Sequence, residues 1–434
     1  TSAWRVSWTW LLSMPSSSQG APPLIASGEP RALPRRGPST PGYRPSLLVV
    51  VQRYGDVAGG AEAHARMLVN RLRPHLDIEV ATTTARDYWT WANELTAGLT
   101  WVDEVPVRRF PVAKPRARSF HSYERRAFAG GHSLADERAF LDAQGPVVPD
   151  LLEHLFRRGR EFDHVLFFTY IYWTTVFGLP VVPERAVLVP TAHDEPAIGL
   201  TMYRRVFHLP RAIAYNTAEE RAMVQRRFAN QRVPSDIVGV GVDVPSDASA
   251  ERFRRAHGLD GPIFLYVGRL VESKGCRELF DLWARWRSVA TTPAPLVLAG
   301  HREMEIPQRA DVLHVGRIDD EAKFDAYAAC TALVVPSMLE SLSLVTLEAW
   351  AMGRPVIVPA RSPVLASMSR RAGGGLPYRT FAEFAEICDL LIERPDVAEH
   401  LGVCGREFVA RTYTWERVVG TYLDIFAEVR VRNA

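Results

Sequence analysis

The sequence predicts an α/β protein of two Rossmann-like domains, each a parallel sheet covered by helices on both faces and the two facing each other across a cleft. Three observations predict it. Apolar runs of strand length, such as LLVVV, HVLFF, AIAY, IFLYV and PLVLA, carry no polar alternation, which is the pattern of strands buried on both faces. Segments with apolar residues at helical spacing separate these runs. The alternation comes as two series, one from Ser46 and one from about Pro262, with VGVGVDVPSD (238–247) between them, where Gly, Pro and Asp cluster.

A chain of 434 residues is too long for one core and suits two domains with extras. Its 47% hydrophobic and 23% charged content is that of a soluble globular protein. No apolar run approaches the ~18–20 residues that span a bilayer. The stretch Trp8–Leu12 after Arg5 is too short, and too broken by Ser and Thr, to make a good signal peptide. Cys276, Cys330, Cys388 and Cys404 are scattered, without a CxxC pair or a neighbouring His. They read as reduced core thiols of a cytoplasmic protein, not as a disulfide frame or zinc site. Residues 1–46 hold five arginines against one glutamate, so the net +3 is +4 there and −1 over the remainder. That balance argues against a nucleic-acid partner.

Taken in order, residues 1–45 are dense in Pro, Ser, Gly and Arg without periodicity, and are expected to be a disordered leader or an upstream extension from a misplaced start. Residues 46–240 form the first domain, opening with a strand, the turn GDVAGG and a helix carrying Ala61, Ala65, Leu68, Val69 and Leu72 on one face. Strands follow at 164–168, 186–190 and 212–215, the last leading into a helix opened by Thr217 with Glu220 three residues on, a capping-box pattern. Residues 241–410 repeat the alternation as the second domain. Residues 411–434 form an amphipathic helix that must pack somewhere, with the first domain across the cleft as its expected seat.

Ligands of such folds sit at the carboxyl ends of strands, against helix N-termini. Three segments occupy that position. GDVAGGAE (55–62) has two adjacent glycines that let backbone N–H groups approach an anion, although a plain strand-to-helix turn has the same composition. In YVGRLVESKG (266–275), Arg269 leaves a strand end and Lys274 starts the next helix, so both charges can converge on a diphosphate, or simply be solvated. In PSMLESLSLVTLEAWAMGRPV (336–356), Glu340 and Glu348 stand among apolar neighbours that leave few solvent-facing slots. A buried carboxylate costs several kcal/mol unless something pairs with it, as sugar hydroxyls would; the other reading is two surface glutamates at a helix start, favoured there by the dipole.

Glu340 and Glu348 make an E-x7-E pattern. Together with RYGDVAGGAEAHAR, NTAEER, VGRLVESKG and GGGLPY, in order over roughly residues 47 to 426, it resembles the retaining glycosyltransferases of family 4, which have the GT-B fold. The resemblance implies that Glu340 contacts the donor sugar near the reaction centre and that Glu348 holds the ribose. It implies that Arg269 and Lys274 neutralise the diphosphate, with backbone N–H groups from Ser343 through Leu344 to Val345 also meeting phosphate. Gly59 and Gly60 would lie beside donor and acceptor, and His193, in PTAHDE, near the donor sugar. The chain departs from the family where Ser341-Leu342-Ser343 replaces a common Gly-Phe-Gly; a position there needing positive φ would be strained.

The expected activity is therefore a retaining, metal-independent hexosyl transfer from a nucleoside-diphosphate sugar, the donor being a substrate and no cofactor being required. The acceptor is a saccharide, lipid-linked or small molecule of glycan or polysaccharide biosynthesis. The rivals are a nucleotide-sugar epimerase or phosphorylase of the same fold, and an inactive binding protein. Residues 108–126 hold seven Arg or Lys against one Glu, which suggests either peripheral contact with an anionic membrane surface or a solvated loop face. The aromatic stretches YWTW (88–91) and TYIYW (169–173) suit sugar stacking or core filling.

Overall fold

The computed structural model describes residues 43–57 and 59–432. Most of the expected leader lies outside the described residues. The first sheet has eight strands: β1 (Ser46–Val50), β2 (Asp77–Thr83), β3 (Gly98–Val102), β4 (Val105–Phe110), β5 (His164–Phe168), β6 (Ala186–Val189), β7 (Ala212–Tyr215) and β8 (Ser235–Ile237), in the order β3-β4-β2-β1-β5-β6-β7-β8. All neighbours are parallel except the β3–β4 hairpin at one edge. The second sheet is wholly parallel. It comprises β9 (Phe264–Val267), β10 (Leu296–Ala299), β11 (Val312–Gly316), β12 (Ala332–Val334), β13 (Val356–Pro359) and β14 (Gly375–Tyr378), in the order β11-β10-β9-β12-β13-β14. This is the doubly wound pair expected from the two series of apolar runs.

The hairpin carries no sequence signal of the usual kind. Its two-residue turn is Asp103-Glu104, both at positive φ (50° and 61°), where Asn-Gly or Gly is the common solution. Cations from the helix Gly60–Leu72 and the residue just past it hold the turn instead. Arg66 donates two bonds to the Asp103 carboxylate at 2.6 and 2.9 Å, and Arg73 lies 2.9 Å from Glu104.

The chain crosses between the sheets along residues 238–249 and returns at its end. A Cβ on Gly239 would come within 2.5 Å of the Tyr413 ring, and one on Gly241 within 2.5 Å of Trp415, so the outgoing and returning segments touch only because these positions lack side chains. The last helix, Trp415–Val431, packs on the first sheet, touching β5, β7 and the helix Gly60–Leu72. Its Phe426 stacks on His164 of β5 with ring centroids 4.8 Å apart. One apolar core accordingly runs from Leu47 and Val49 through Leu265 and Leu333 to Val418 and Tyr422.

Candidate functional site

The carboxyl end of β9 leads to Arg269 and then to the short 3-10 turn Glu272–Lys274. Gly275 follows in the left-handed region at φ 77°, and a Cβ there would lie 2.3 Å from the carbonyl oxygen of Pro336. The glycine thus permits the close approach that sets the Lys274 turn against the loop after β12. The outcome is an ion pair, with Lys274 Nζ donating to Glu340 Oε1 at 2.7 Å.

Glu348 lies one helical turn into Leu344–Ala351, and its carboxylate faces elsewhere. Oε1 accepts from Lys323 Nζ at 2.9 Å and Oε2 from the Tyr327 hydroxyl at 2.8 Å. Burial acts to lower the Lys323 pKa, but the charge of Glu348 and its bonds to Glu348 and Asp320 leave it raised; the Tyr327 phenol is pushed well up by burial and by Glu348. Incoming hydroxyls would therefore meet glutamates that are already paired. Each carboxylate already has a lysine from its own domain, as a half-buried charge requires. Sequence reasoning missed Lys323 and Tyr327, although they stand four apart on one helix face, Asp320–Ala329, the spacing that lets two side chains converge.

The helix Leu344–Ala351 starts from Ser343, which sits at φ 85°, ψ 87° and makes no side-chain cap. The strain anticipated for serine in a glycine slot is present. The Ser343 hydroxyl instead pairs with Thr346 Oγ1 at 2.9 Å. The first N–H groups of this helix, at Leu344 and Val345, are left without that cap, and together with the helix dipole they favour an anion.

From the first domain, His193 follows β6 on a loop that faces this cluster. Its Nδ1 lies 3.5 Å from Glu195 Oε1, which also accepts from the Tyr170 hydroxyl at 2.8 Å. Burial acts to lower the His193 pKa, yet Glu195 and the nearby charge of Glu340 leave it raised, against an opposing push from Lys274. The two second-domain charges that act on His193 are those of the Lys274–Glu340 pair. The next loop docks on the glutamate turn directly: Asn216 Nδ2 reaches Ser341 Oγ at 3.3 Å and Thr217 Oγ1 donates to the Ser341 carbonyl at 3.0 Å.

Arg269 turns its guanidinium across the cleft to the Tyr88 hydroxyl and lies 3.6 Å from Glu303. Trp89, beside it, donates to Glu303 at 3.1 Å. The aromatic stretch 88–91 thus divides, since Trp91 is core and hydrogen-bonds the Gln144 carbonyl, while Trp89 is exposed. Of the two glycines in the first loop, Gly59 is sterically required, because a Cβ there would fall 2.0 Å from Glu62 Oε2. Glu62 is fixed by a buried bond to Arg53, Nη2 to Oε1 at 2.6 Å. Gly60 faces open space. The same loop meets the second domain through Asp56, 3.8 Å from Arg317. Within the basic segment 108–126, Arg108 and Arg109 are buried and Arg116 is half-buried under Phe120, leaving Lys114, Arg118, Arg125 and Arg126 exposed. Among the described residues, no three His, Cys, Asp or Glu side chains cluster as a metal site, and no helix is long and apolar enough to cross a membrane.

Residues 261–393, which carry Arg269, Lys274, Glu340 and Glu348, match the family described as Glycosyl transferases group 1. Sucrose-phosphate synthase from Thermosynechococcus elongatus shares the fold over 90% of this chain and all of its own, with a TM-score of 0.66 at 18% identity. The chain has the GT-B fold, and its segment 261–393 resembles the group 1 glycosyltransferases. A second GT-B neighbour, Anabaena Alr3699/HepE in complex with UDP-glucose, matches 88% of this chain and 99% of its own with a TM-score of 0.66 at 14% identity. In sequence, this GT-B chain is 27% identical over 267 residues to a D-inositol 3-phosphate glycosyltransferase of Kribbella flavida. The match covers 56% of this chain and 62% of the relative, less than two thirds of its length.

Proposed function

We propose that the protein transfers a hexose-type sugar, with retention and without a metal, from a nucleoside-diphosphate sugar to a saccharide, lipid-linked or small-molecule acceptor. The observation that carries this reading is the pairing of Lys274 with Glu340 beside the uncapped helix start at Leu344. A carboxylate suited to sugar hydroxyls and two kinds of anion-binding group stand together at the ends of parallel strands. The binding of UDP-glucose by the Anabaena neighbour supports a nucleotide-sugar donor.

In this reading the donor diphosphate takes Lys274 and the helix N–H groups, with Arg269 turning to it from Tyr88. Glu340 then accepts from the sugar, Glu348 from the ribose, and His193 lies on the sugar's other side. The bond from the anomeric carbon to the diphosphate breaks, and the acceptor oxygen attacks the same face. The acceptor's proton passes to the departing phosphate oxygen, so no side chain need act as general base. The peripheral membrane seat belongs to this proposal only as a property of the acceptor, through the exposed cations of 114–126.

The test is thermal unfolding with and without UDP, GDP, ADP and dTDP. A nucleotide at ~100 times its dissociation constant stabilises by ~2.7 kcal/mol and moves the midpoint by several degrees. Product mass then separates transfer, which enlarges an acceptor, from epimerisation, which leaves the donor mass unchanged. If none of the four nucleotides shifts the midpoint, the donor site is overturned.

A further inference from the structure

Glu220 is almost fully buried, at 1% exposure, in the first turn of the helix Ala218–Phe228. Thr217 caps this helix by accepting from the Glu220 N–H at 3.2 Å, as the sequence pattern anticipates. The Glu220 carboxylate reaches beyond its own helix end. Oε1 accepts the N–H of Ala192 at 2.5 Å and Oε2 the N–H of Asn216 at 2.6 Å. Ala192 immediately precedes His193. Asn216 is the residue whose side chain docks on Ser341, next to Glu340. One carboxylate therefore spans the two loops that bring the first domain to the glutamate turn.

We propose that Glu220 is a positioning residue for the transfer reaction, its two carboxylate oxygens fixing the His193 loop relative to the loop that grips Ser341 and hence Glu340. The inference rests on the donor-site reading above for its catalytic meaning. Both oxygens must be acceptors for this role, so the ionised form is the competent one: a protonated carboxyl turns one oxygen into a donor facing an N–H. Burial, opposed by the backbone bonds from Ala192 and Asn216 and by the charge of His193, raises the Glu220 pKa to about 7. The groups whose charge is felt with it are His193 on the tied loop, Tyr215 at the end of β7, and Tyr422 on the last helix. The tie is thus made and lost across neutral pH.

The signs for stability and for activity are opposite. A carboxyl whose folded pKa lies above its unfolded one costs the fold stability as pH rises from about 4.5 to about 7. Loop positioning, and with it turnover, improves over the upper part of the same range. A residue with only a structural role would move both the same way.

The experiment uses the full chain. Amide hydrogen exchange at Ala192 and Asn216, corrected for the intrinsic pH dependence of exchange, is followed from pH 6 to pH 8 in the wild type and in Glu220→Gln. UDP-glucose hydrolysis is followed alongside. Protection of both amides is expected to rise roughly 10-fold with pH in the wild type and to stay low and flat in the variant, as expected for loss of one or two hydrogen bonds. The variant's kcat should fall on the order of 10-fold with UDP affinity retained, and its acid limb near pH 7 should flatten. Flat wild-type protection, or a variant with the wild-type pH profile, overturns the role of Glu220. Wild-type protein that binds none of UDP, GDP, ADP and dTDP, yet shows pH-dependent protection, overturns the donor-site reading and leaves the loop tie standing.

Discussion

Lys274 Nζ and Glu340 Oε1 are 2.7 Å apart, and the contact is made by two loops that the sequence separates by 66 residues. Gly275 allows it by lying against the Pro336 carbonyl where no side chain fits. The pair is held in a neutralised form, the cation and the carboxylate satisfying each other. In the proposed function, donor binding would exchange one set of partners for another instead of exposing bare charges, which keeps the desolvation cost of either state low.

This exchange predicts effects of different kind from the two ends of the pair. Lys274→Met removes a counter-charge to phosphate, and UDP affinity measured by calorimetry should fall roughly 10–100-fold, the worth of a charged hydrogen bond of ~1.5–3 kcal/mol. Glu340→Gln frees Lys274 and should leave UDP affinity equal or higher while turnover of the sugar donor falls. Undiminished product from Glu340→Gln would contradict the role given to that carboxylate.

Ser343 offers a second prediction. At φ 85° it occupies a conformation that costs an L-residue about 1–2 kcal/mol, while its hydroxyl gains a bond to Thr346. Ser343→Ala loses the bond and keeps the strain. Ser343→Gly loses the same bond and relieves the strain, against a glycine entropy cost of about 0.5–1 kcal/mol. The glycine variant should therefore be more stable than the alanine variant by about 1 kcal/mol, roughly 2–4 °C in melting midpoint. Equal midpoints would mean that the strain is relaxed elsewhere.

Much of this architecture could be read directly from residues. The buried parallel strands announce themselves by runs such as HVLFF and IFLYV, since nothing on either face needs to be polar. The two segments that meet through Lys274 and Glu340 stand out in the sequence because each sets its charges among glycines or apolar residues over a short stretch of chain. What could not be read depends on contacts made after folding. The Asp103-Glu104 hairpin is held by Arg66 and Arg73 of another element, so its turn needs no glycine and gives no local sign. Lys323 is an ordinary helix lysine in sequence and becomes the partner of Glu348 only when two helices of the second domain pack. Glu220 looks like half of a capping box, and its bond to Ala192, 28 residues away, is invisible until β6 and β7 lie side by side.

The first loop predicts unequal consequences for two adjacent glycines. Gly59→Ala would drive a methyl into the Glu62 carboxylate and disturb its buried pair with Arg53. Breaking a buried ion pair costs about 3–5 kcal/mol, so a fall of about 6 °C or more in melting midpoint is expected. Gly60→Ala points into open space at the first residue of a helix, and should be neutral or stabilising by up to about 1 kcal/mol. Equal losses from both would show that the loop tolerates neither residue for reasons other than the Glu62 contact.

The pH behaviour of His193 separates its partners. Burial alone would lower its pKa, and the Glu195 contact, reinforced by Glu340 and opposed by Lys274, reverses the direction. A histidine whose folded pKa exceeds its unfolded value near 6.5 adds stability that is complete below that value and fades as pH rises through the folded one. Glu195→Gln removes the larger of the two carboxylate contributions. The His193 titration followed by NMR should then move to lower pH, and the extra stability of the wild type on the acid side should shrink with it. Glu340→Gln should shift the same titration in the same direction by less. If instead Glu340→Gln moves it further than Glu195→Gln, the imidazole faces Glu340 more closely than its 3.5 Å contact with Glu195 implies, and its charge is coupled across the domains to the Lys274–Glu340 pair.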